Sequence, residues 1–171
     1  NDFYTGFKSG ANYINPSVKT SIRYISNYDK VNSPFANPQV AHQISDQLYQ
    51  KENVDIIYQV AAGSGMGVFN SAKQNKKYAI GVDSDQDYLA EGLILTSMLK
   101  NMDVAINVMT EKIIGNHFEN KAYTFGLKEK GVGLTEMSFT KKQIKPETLQ
   151  KLTQIEKEII NGTIVVPTLL P

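Results

Sequence analysis

The chain has 171 residues, of which 41% are hydrophobic and 20% charged, the balance of an ordinary globular domain with its own core. The net charge of +1 excludes the broad basic surface of a nucleic-acid-binding protein, so we expect no nucleic-acid partner. The absence of cysteine excludes disulfides, thiolate chemistry and cysteine-ligated zinc. No run of about 18 apolar residues that would suit a membrane span occurs.

The first two predicted elements are a helix and a strand. Apolar residues at helical spacing from Phe3 to Ile14 predict a helix that stops before Pro16, because proline disfavours helical backbone in the preceding residue. The stretch VKTSIRYIS, residues 18–26, alternates and is rich in β-branched residues, which predicts a strand. The chain enters its first helix abruptly, and we interpret it as a fragment of a longer protein.

The middle of the chain contains the strongest apolar runs. A helix is predicted to begin at Pro38 with Asn37 as its N-cap. Residues 54–60 are almost continuously apolar, which is typical of a strand buried on both faces of a parallel sheet. The glycine loop AAGSGMG, residues 61–67, leads into a short helix, and YAIGVD, residues 78–83, is a second buried strand.

The remaining predicted elements continue the alternation of strands and helices. They are a strand over 93–99, a helix capped by Asn101 and ending at Gly115, a strand over 122–127, a helix from Pro146 to a C-cap at Asn161-Gly162, and a short strand over 164–166. This alternation predicts an α/β protein with a mostly parallel sheet between two layers of helices, a three-layer α/β/α arrangement.

The glycine loop is the first candidate for a binding site, because ligands of open α/β sheets bind beyond the carboxyl ends of the strands. Its glycines at 63, 65 and 67 can adopt positive φ and leave room for a ligand beside the backbone. Their G-x-G-x-G spacing matches neither the dinucleotide-binding nor the P-loop motif. From these residues alone, a binding loop and ordinary turn chemistry stay equal alternatives.

The second candidate is the loop VDSDQD, residues 82–87. Asp83 should stand at the carboxyl end of its strand, where a carboxylate can accept hydrogen bonds from two sugar hydroxyls. Asp85 and Asp87 could instead cap turns. Their D-x-D-x-D spacing is similar to a calcium loop, but the glycine and glutamate that such a loop needs are missing, so we expect no metal site.

Lys100 is a third candidate, and no catalytic set accompanies it. It follows an apolar run and precedes a helix cap, so it can reach back over the ligand end of the sheet; simple solvation is the alternative. The sequence has neither a G-x-S-x-G nor an H-E-x-x-H motif, and its two histidines are expected at the surface. We therefore expect neither catalysis nor a cofactor.

Several segments together resemble one protein family. They are GFKSGANYINP (6–16), QVAAGSGMGVF (59–69), YAIGVDSDQ (78–86), LTSMLKNMDVA (95–105) and YTFGLKEKGVGL (123–134). The family is the basic-membrane-protein family of bacterial substrate-binding lipoproteins, whose best-understood members are purine nucleoside receptors of ABC-type importers. The resemblance implies one lobe of a type I periplasmic-binding-protein clamshell. Residues 1–171 would then be a single α/β domain, mainly the second lobe, with hinge or first-lobe segments near 101–121 and the first lobe absent.

The same resemblance implies a ligand and the residues that hold it. Tyr58, where the family more often has phenylalanine, would stack on the purine, and Gly63, Asp83 and Lys100 would hold the ribose hydroxyls. The nucleoside (adenosine, guanosine or inosine) would be captured without chemistry and passed to an ABC permease.

The resemblance also implies a location. The full-length protein would be lipid-anchored in the bacterial cell envelope, outside the cytoplasm. The leading alternative is a surface adhesin that binds host molecules; a nucleoside- or sugar-modifying enzyme is the third interpretation.

Overall fold

The computed structural model, which describes residues 2–168, is built around one mixed four-stranded sheet. Its strands are β1 (Ile56–Tyr58), β2 (Tyr78–Asp83), β3 (Ile94–Lys100) and β4 (Val132–Leu134), and they lie in the order β1-β2-β3-β4. The first three run parallel, and β4 pairs antiparallel with β3. The α/β class and the mostly parallel sheet are therefore confirmed.

The helices of the described residues lie close to their predicted positions. They are α1 (Asp2–Ile14), α2 (Pro38–Gln50), α3 (Gly65–Asn75), α4 (Met102–Ile114) and α5 (Pro146–Ile160). The Asn37 side chain accepts a hydrogen bond from the Val40 amide (3.2 Å), which is the predicted cap of α2. At the end of α5, Gly162 adopts a φ of 80°, as the predicted C-cap requires.

The hydrophobic core lies between α2, α3 and the two central strands. Its buried side chains come from all four of these elements and from the short turn after β2; they are Ala41, Tyr49, Val68, Phe69, Ala72, Ala79, Ala90 and Ile94. Phe69 is 1% exposed and Ile94 is fully buried. Removing side chains of this size from a packed interior costs about 2–5 kcal/mol each, so these residues carry much of the stability.

Gly67 explains how closely α2 and α3 pack. A Cβ at this position would overlap the carbonyl oxygen of Pro38 and lie 2.7 Å from the backbone nitrogen of His42. Only a residue without a side chain allows the two helices to approach to this distance. The last glycine of the loop therefore serves helix packing.

Three predicted strands are wrong. Residues 18–26 run outside the sheet and end in a short turn of 3₁₀-helix, Ile25–Asn27; residues 122–127 and 164–166 also lie outside it. Their β-branched and aromatic residues are favourable for strands, but a strand also needs a neighbour to pair with, and β-propensity alone does not supply one. The strand that does form after residue 121 is β4, in the glycine-containing segment that follows.

Two other predictions need correction in detail. The strand predicted over 54–60 is only three residues long, and Ile56 is 39% exposed, because β1 lies at the edge of the sheet. Asn101 stands at the N-cap of α4, yet its side chain makes no capping bond and instead donates to the carbonyl oxygen of Lys130 (2.8 Å). This bond ties the start of α4 to the turn that precedes β4.

The three other helices pack much less than α2 and α3. None of α1, α4 and α5 contains a fully buried residue. Apolar side chains on α4 face outward, with Ile106 60% and Ile113 62% exposed. Within residues 2–168, no helix combines the length and apolarity that crossing a membrane would demand.

Candidate functional site

Tyr58, Asp83 and Lys100 lie along the same edge of the sheet. They are the last residues of β1, β2 and β3, which are parallel neighbours, so their positions mark the carboxyl ends of three adjacent strands. The register pairs Tyr58 with Ile80 and Asp83 with Leu99. We call this edge, with the loops that leave it, the carboxyl edge. It is where open α/β sheets bind their ligands.

Asp83 and Lys100 form an ion pair across this edge. The Lys100 Nζ lies 2.9 Å from the Asp83 Oδ1, and the two side chains are 45% and 48% exposed. Ion pairs this accessible contribute only about 0–1 kcal/mol to stability. Both groups are therefore accessible to solvent, and the contact between them is weak.

Tyr58 presents an aromatic ring beside these charges. Its ring is half-buried and packs against Phe7 of α1, with the ring centroids 5.5 Å apart and the planes tilted by 39°. Burial and, second, the negative charge of Asp83 raise the pKa of Tyr58 to about 12. The hydroxyl is therefore protonated at neutral pH, and the Asp83 carboxylate lies close enough for its field to reach the ring.

The backbone at Asp83 is strained. Its φ is 68°, and the Ser84 amide donates to the Val82 carbonyl oxygen at 2.8 Å, which closes a three-residue turn. A positive φ with this hydrogen bond defines the classic γ-turn, which is rare in proteins. Such conformations cost on the order of 1–3 kcal/mol and are concentrated at functional sites. The strain supports a functional role for this aspartate.

A chain of polar side chains lies beneath the carboxyl edge. The buried Gln59 donates from its Nε2 to the Gln86 Oε1 at 2.8 Å. The buried Asp87 carboxylate accepts from the hydroxyls of Ser97 (2.7 Å) and Thr135 (2.6 Å). Among residues 2–168, no buried side-chain nitrogen or oxygen lacks a hydrogen-bond partner. Because the Gln86 backbone amide also donates to the Ser97 hydroxyl (3.1 Å), the network links residues within or next to all four strands.

Sequence reasoning missed this network, although most of its members stand in the quoted motifs. Gln59 is the first residue of QVAAG and Gln86 is the last residue of VDSDQ, but neither motif indicates that the two side chains bond to each other. The available signal was a glutamine directly after an apolar strand, a position where a buried amide needs a partner. Phe7 was also missed as a neighbour of Tyr58, since helix periodicity marks it only as apolar.

The glycine loop is less open than its composition predicts. The residue with positive φ is Ala62 (47°), whereas Gly63, Gly65 and Gly67 all adopt ordinary backbone angles. A Cβ at Gly65 would overlap the Gln59 side chain, so this glycine, like Gly67, makes room for protein atoms. Gly63 is exposed and lies beside the Phe35 carbonyl oxygen, at the surface of the loop. Of the three glycines, Gly63 alone is exposed, although a Cβ there would lie only 3.1 Å from the Phe35 carbonyl oxygen.

The acidic loop is not arranged as a cation site. Asp85 caps a turn by accepting the Asp87 amide hydrogen bond at 3.0 Å, while the Asp87 carboxylate is buried under Ser97 and Thr135. In the part of the chain that the structure describes, no group of three or more histidine, aspartate or glutamate residues is arranged to hold a metal ion. The three aspartates therefore have three separate roles.

The fold is similar to about half of the fold of solved solute-binding proteins of ABC transporter systems. The chain aligns with an ABC transporter system solute-binding protein from Aeropyrum pernix K1 with a TM-score of 0.77 and 22% identity, covering 97% of this chain and 54% of that chain. A solute-binding protein from Conexibacter woesei DSM 14684 gives a TM-score of 0.71 at 15% identity, with coverages of 97% and 52%. At these identities the similarity establishes the fold alone.

The sequence establishes the family. The chain belongs to the Bmp family, described as ABC transporter substrate-binding protein PnrA-like, whose family model matches residues 1–169. Basic membrane protein A of Borreliella burgdorferi is 34% identical over 170 residues, which cover 97% of this chain and 47% of that protein. The CD4+ T-cell-stimulating antigen of Listeria monocytogenes is 29% identical over 182 residues, with coverages of 96% and 48%. The chain thus spans about half the length of the curated relatives it matches.

Proposed function

We propose that this chain is one lobe of an ABC-type substrate-binding protein that captures a purine nucleoside in a cleft between two lobes. The observation that carries the proposal is that Tyr58 and the Asp83–Lys100 ion pair stand at the carboxyl ends of three neighbouring strands. A planar aromatic ring suits a base, and a neighbouring carboxylate suits the vicinal hydroxyls of a ribose.

Each group has a distinct role in this proposal. Tyr58, whose ring packs against Phe7, stacks on the purine. Asp83 accepts hydrogen bonds from the ribose hydroxyls, while Lys100, its ion-pair partner, donates to a ribose oxygen. Gly63 lets the ligand approach the loop because it has no side chain. These groups bind and orient, and none is arranged as a nucleophile with a base, so the proposed function includes no chemistry and no cofactor.

The other lobe of the cleft, the first, would come from chain outside these 171 residues. The exposed apolar faces of the outer helices support this part of the proposal, because large exposed apolar side chains mark surfaces that another part of a protein covers. Residues 1–171 are proposed as a single domain, mainly the second lobe, with hinge or first-lobe segments near 101–121. A permease of the import system would receive the ligand, and a lipid anchor on the full-length protein would hold it outside the cytoplasm.

Isothermal titration of the full-length protein with adenosine, guanosine and inosine tests the proposal. We expect at least one nucleoside to bind, and Asp83→Ala to weaken that binding about tenfold or more through loss of a charged hydrogen bond. The matched control is Asp55→Ala, which removes an exposed aspartate from a surface ion pair with Lys77 (3.5 Å) ahead of β1, away from the carboxyl edge. Wild-type protein that binds none of the three nucleosides would overturn the proposal.

A surface adhesin is the second candidate function. The observation in its favour is that a relative from Listeria monocytogenes bears the name CD4+ T-cell-stimulating antigen. Binding of host matrix proteins by nucleoside-free wild-type protein, unaffected by Asp83→Ala, would support the adhesin over the receptor.

A further inference from the structure

Gln86 occupies a central place beneath the carboxyl edge. Its side-chain Oε1 accepts two hydrogen bonds, one from the Val82 amide (2.9 Å) and one from the Gln59 side chain (2.8 Å). Val82 directly precedes Asp83, and Gln59 directly follows Tyr58. A single oxygen atom therefore joins the backbone next to the carboxylate to the side chain next to the aromatic ring.

The bond from Val82 to Gln86 lies just beyond the point where β1 stops pairing with β2. β1 pairs with β2 only as far as Ile80, and the Gln59 amide still donates to the Ile80 carbonyl oxygen at 3.2 Å. Beyond this point Gln86 supplies an acceptor from its side chain. It thereby extends the ladder to the residue that begins the strained turn.

Val82 is in turn the residue on which the Asp83 turn closes. Its carbonyl oxygen accepts from the Ser84 amide (2.8 Å), while its own amide is held by Gln86. The bond between Ser84 and Val82 joins the two peptide planes that flank Asp83, and the bond from Gln86 fixes the preceding plane, between Gly81 and Val82, from which the turn starts. The direction of the Asp83 side chain follows from these planes, since φ is held at 68°.

Gln86 is itself held in place. Its backbone amide donates to the Ser97 hydroxyl at 3.1 Å, and Ser97 donates to the buried Asp87. Gly81 leaves the space that this arrangement needs, because a Cβ there would overlap Ser97 and lie 2.9 Å from the Gln86 Oε1. The position of Gln86 is thus determined by β3 and by the turn after β2, independently of Asp83.

We infer that Gln86 is a positioning residue for ligand recognition: through the Val82 amide it holds the strained Asp83 turn, and so aims the carboxylate at the ligand's hydroxyl groups. The inference rests on the proposed function for the ligand that Asp83 holds. Gln86 contacts no ligand in this account. Its effect on affinity passes entirely through Asp83, which separates it from a residue that only stabilises the fold.

A double-mutant cycle in the full-length protein tests this inference, with the nucleoside among adenosine, guanosine and inosine that binds the wild type most tightly. Gln86→Met keeps the length of the side chain but removes the acceptor, and we expect it to weaken binding about tenfold. In an Asp83→Ala background the same change should alter affinity less than twofold, because no carboxylate is left to aim. Gln86→Glu, which keeps an acceptor oxygen, should recover most of the affinity.

The controls separate the possible failures. Gln154→Met changes an exposed glutamine of α5 and should leave binding unchanged. If Gln86→Met does not fold, Gln59→Met replaces it in the cycle, because it removes the donor that holds the side-chain oxygen of Gln86. Equal losses of affinity in both backgrounds, or no loss in either, would overturn the inference about Gln86. Nucleoside binding by the wild type would still support the proposed function in that case. A wild type that binds no nucleoside would overturn both.

Discussion

The chain contains two regions that use their apolar residues in opposite ways. Between Pro38 and Lys100, helices α2 and α3 enclose a core with the sheet, and Phe69 and Ile94 are almost completely shielded from water. Outside that stretch, α1, α4 and α5 bury none of their residues fully, although α4 is rich in isoleucine and methionine. The first region supplies its own core, and the second presents apolar surface.

This difference bears on where function lies. The residues proposed to bind ligand sit on the well-packed region, where buried hydrogen bonds fix their geometry. The exposed apolar side chains of the outer helices agree with the proposal that another lobe covers them.

The largest expected contrast between the two regions comes from removing one large side chain from each. Phe69→Ala should lower the free energy of unfolding by about 3–5 kcal/mol, because it leaves a cavity in the core. Ile106→Ala, at a position that is 60% exposed on α4, should change it by less than about 0.5 kcal/mol. Urea denaturation of the same 171-residue chain measures both. Equal losses would show that α4 is packed in solution and would break the comparison.

Adding one methyl group to a glycine of each region should change stability in opposite directions. Gly67→Ala forces a Cβ against the Pro38 carbonyl and should destabilise the chain by about 1–3 kcal/mol. Gly10→Ala, in the middle of α1 with no atom within 4 Å of the new Cβ, should stabilise it by about 0.5–1 kcal/mol. Thermal unfolding followed by circular dichroism compares the two. A stable Gly67→Ala variant would contradict the close contact between α2 and α3.

Two substitutions of Asp83 distinguish the cost of its strained backbone from the effect of losing its charge. Asp83→Ala and Asp83→Gly both lose the ion pair with Lys100, but only glycine adopts a φ of 68° without steric cost. The glycine variant should therefore be more stable than the alanine variant by about 1 kcal/mol. Chemical denaturation of the two variants side by side gives this difference directly. Equal stability would mean that the turn relaxes in solution.

The smallest expected effect is the alkaline titration of Tyr58. Its pKa is raised to about 12, so the folded chain holds this proton more tightly than the unfolded chain, in which tyrosine titrates near 10. Stability from this group is complete below about pH 10 and declines as pH rises towards 12. Urea denaturation at stepwise pH should show a smaller alkaline decline in Tyr58→Phe. A spectrophotometric titration should also find the Tyr58 pKa closer to 10 in Asp83→Asn. An unchanged pKa would show that the charge of Asp83 does not act on the Tyr58 hydroxyl.

Much of the fold could be predicted from the sequence because the core elements carry local signals. Pro38 and Pro146 mark helix starts, and the apolar run 78–83 marks a central strand. The predicted strands over 18–26 and 122–127 failed because a strand depends on its pairing partner, which no local pattern identifies. The segment of β4 contains glycines that obscure its strand character, and it pairs only with the end of β3.

The site could be predicted only in part, for a related reason. The rule that ligands bind at strand ends singled out Asp83 and Lys100, and the structure brings them within 2.9 Å of each other. The turn at Asp83 and the bonds of Gln86 depend on atoms from three strands, so periodicity cannot reveal them. The sequence leaves a binding loop and turn chemistry as equal alternatives for the glycine loop, because close packing and ligand access both favour glycine, and only the structure distinguishes Gly67 from Gly63.

The most direct test of the central claim is a crystal structure of the full-length protein with bound nucleoside. We predict that the Tyr58 ring lies face to face with the purine at a separation of about 3.5–4 Å, in van der Waals contact. The Asp83 carboxylate should accept hydrogen bonds from the ribose hydroxyls at about 2.5–3.0 Å, with the φ of Asp83 still positive. A nucleoside bound elsewhere, or bound with Asp83 still paired only to Lys100, would contradict the account.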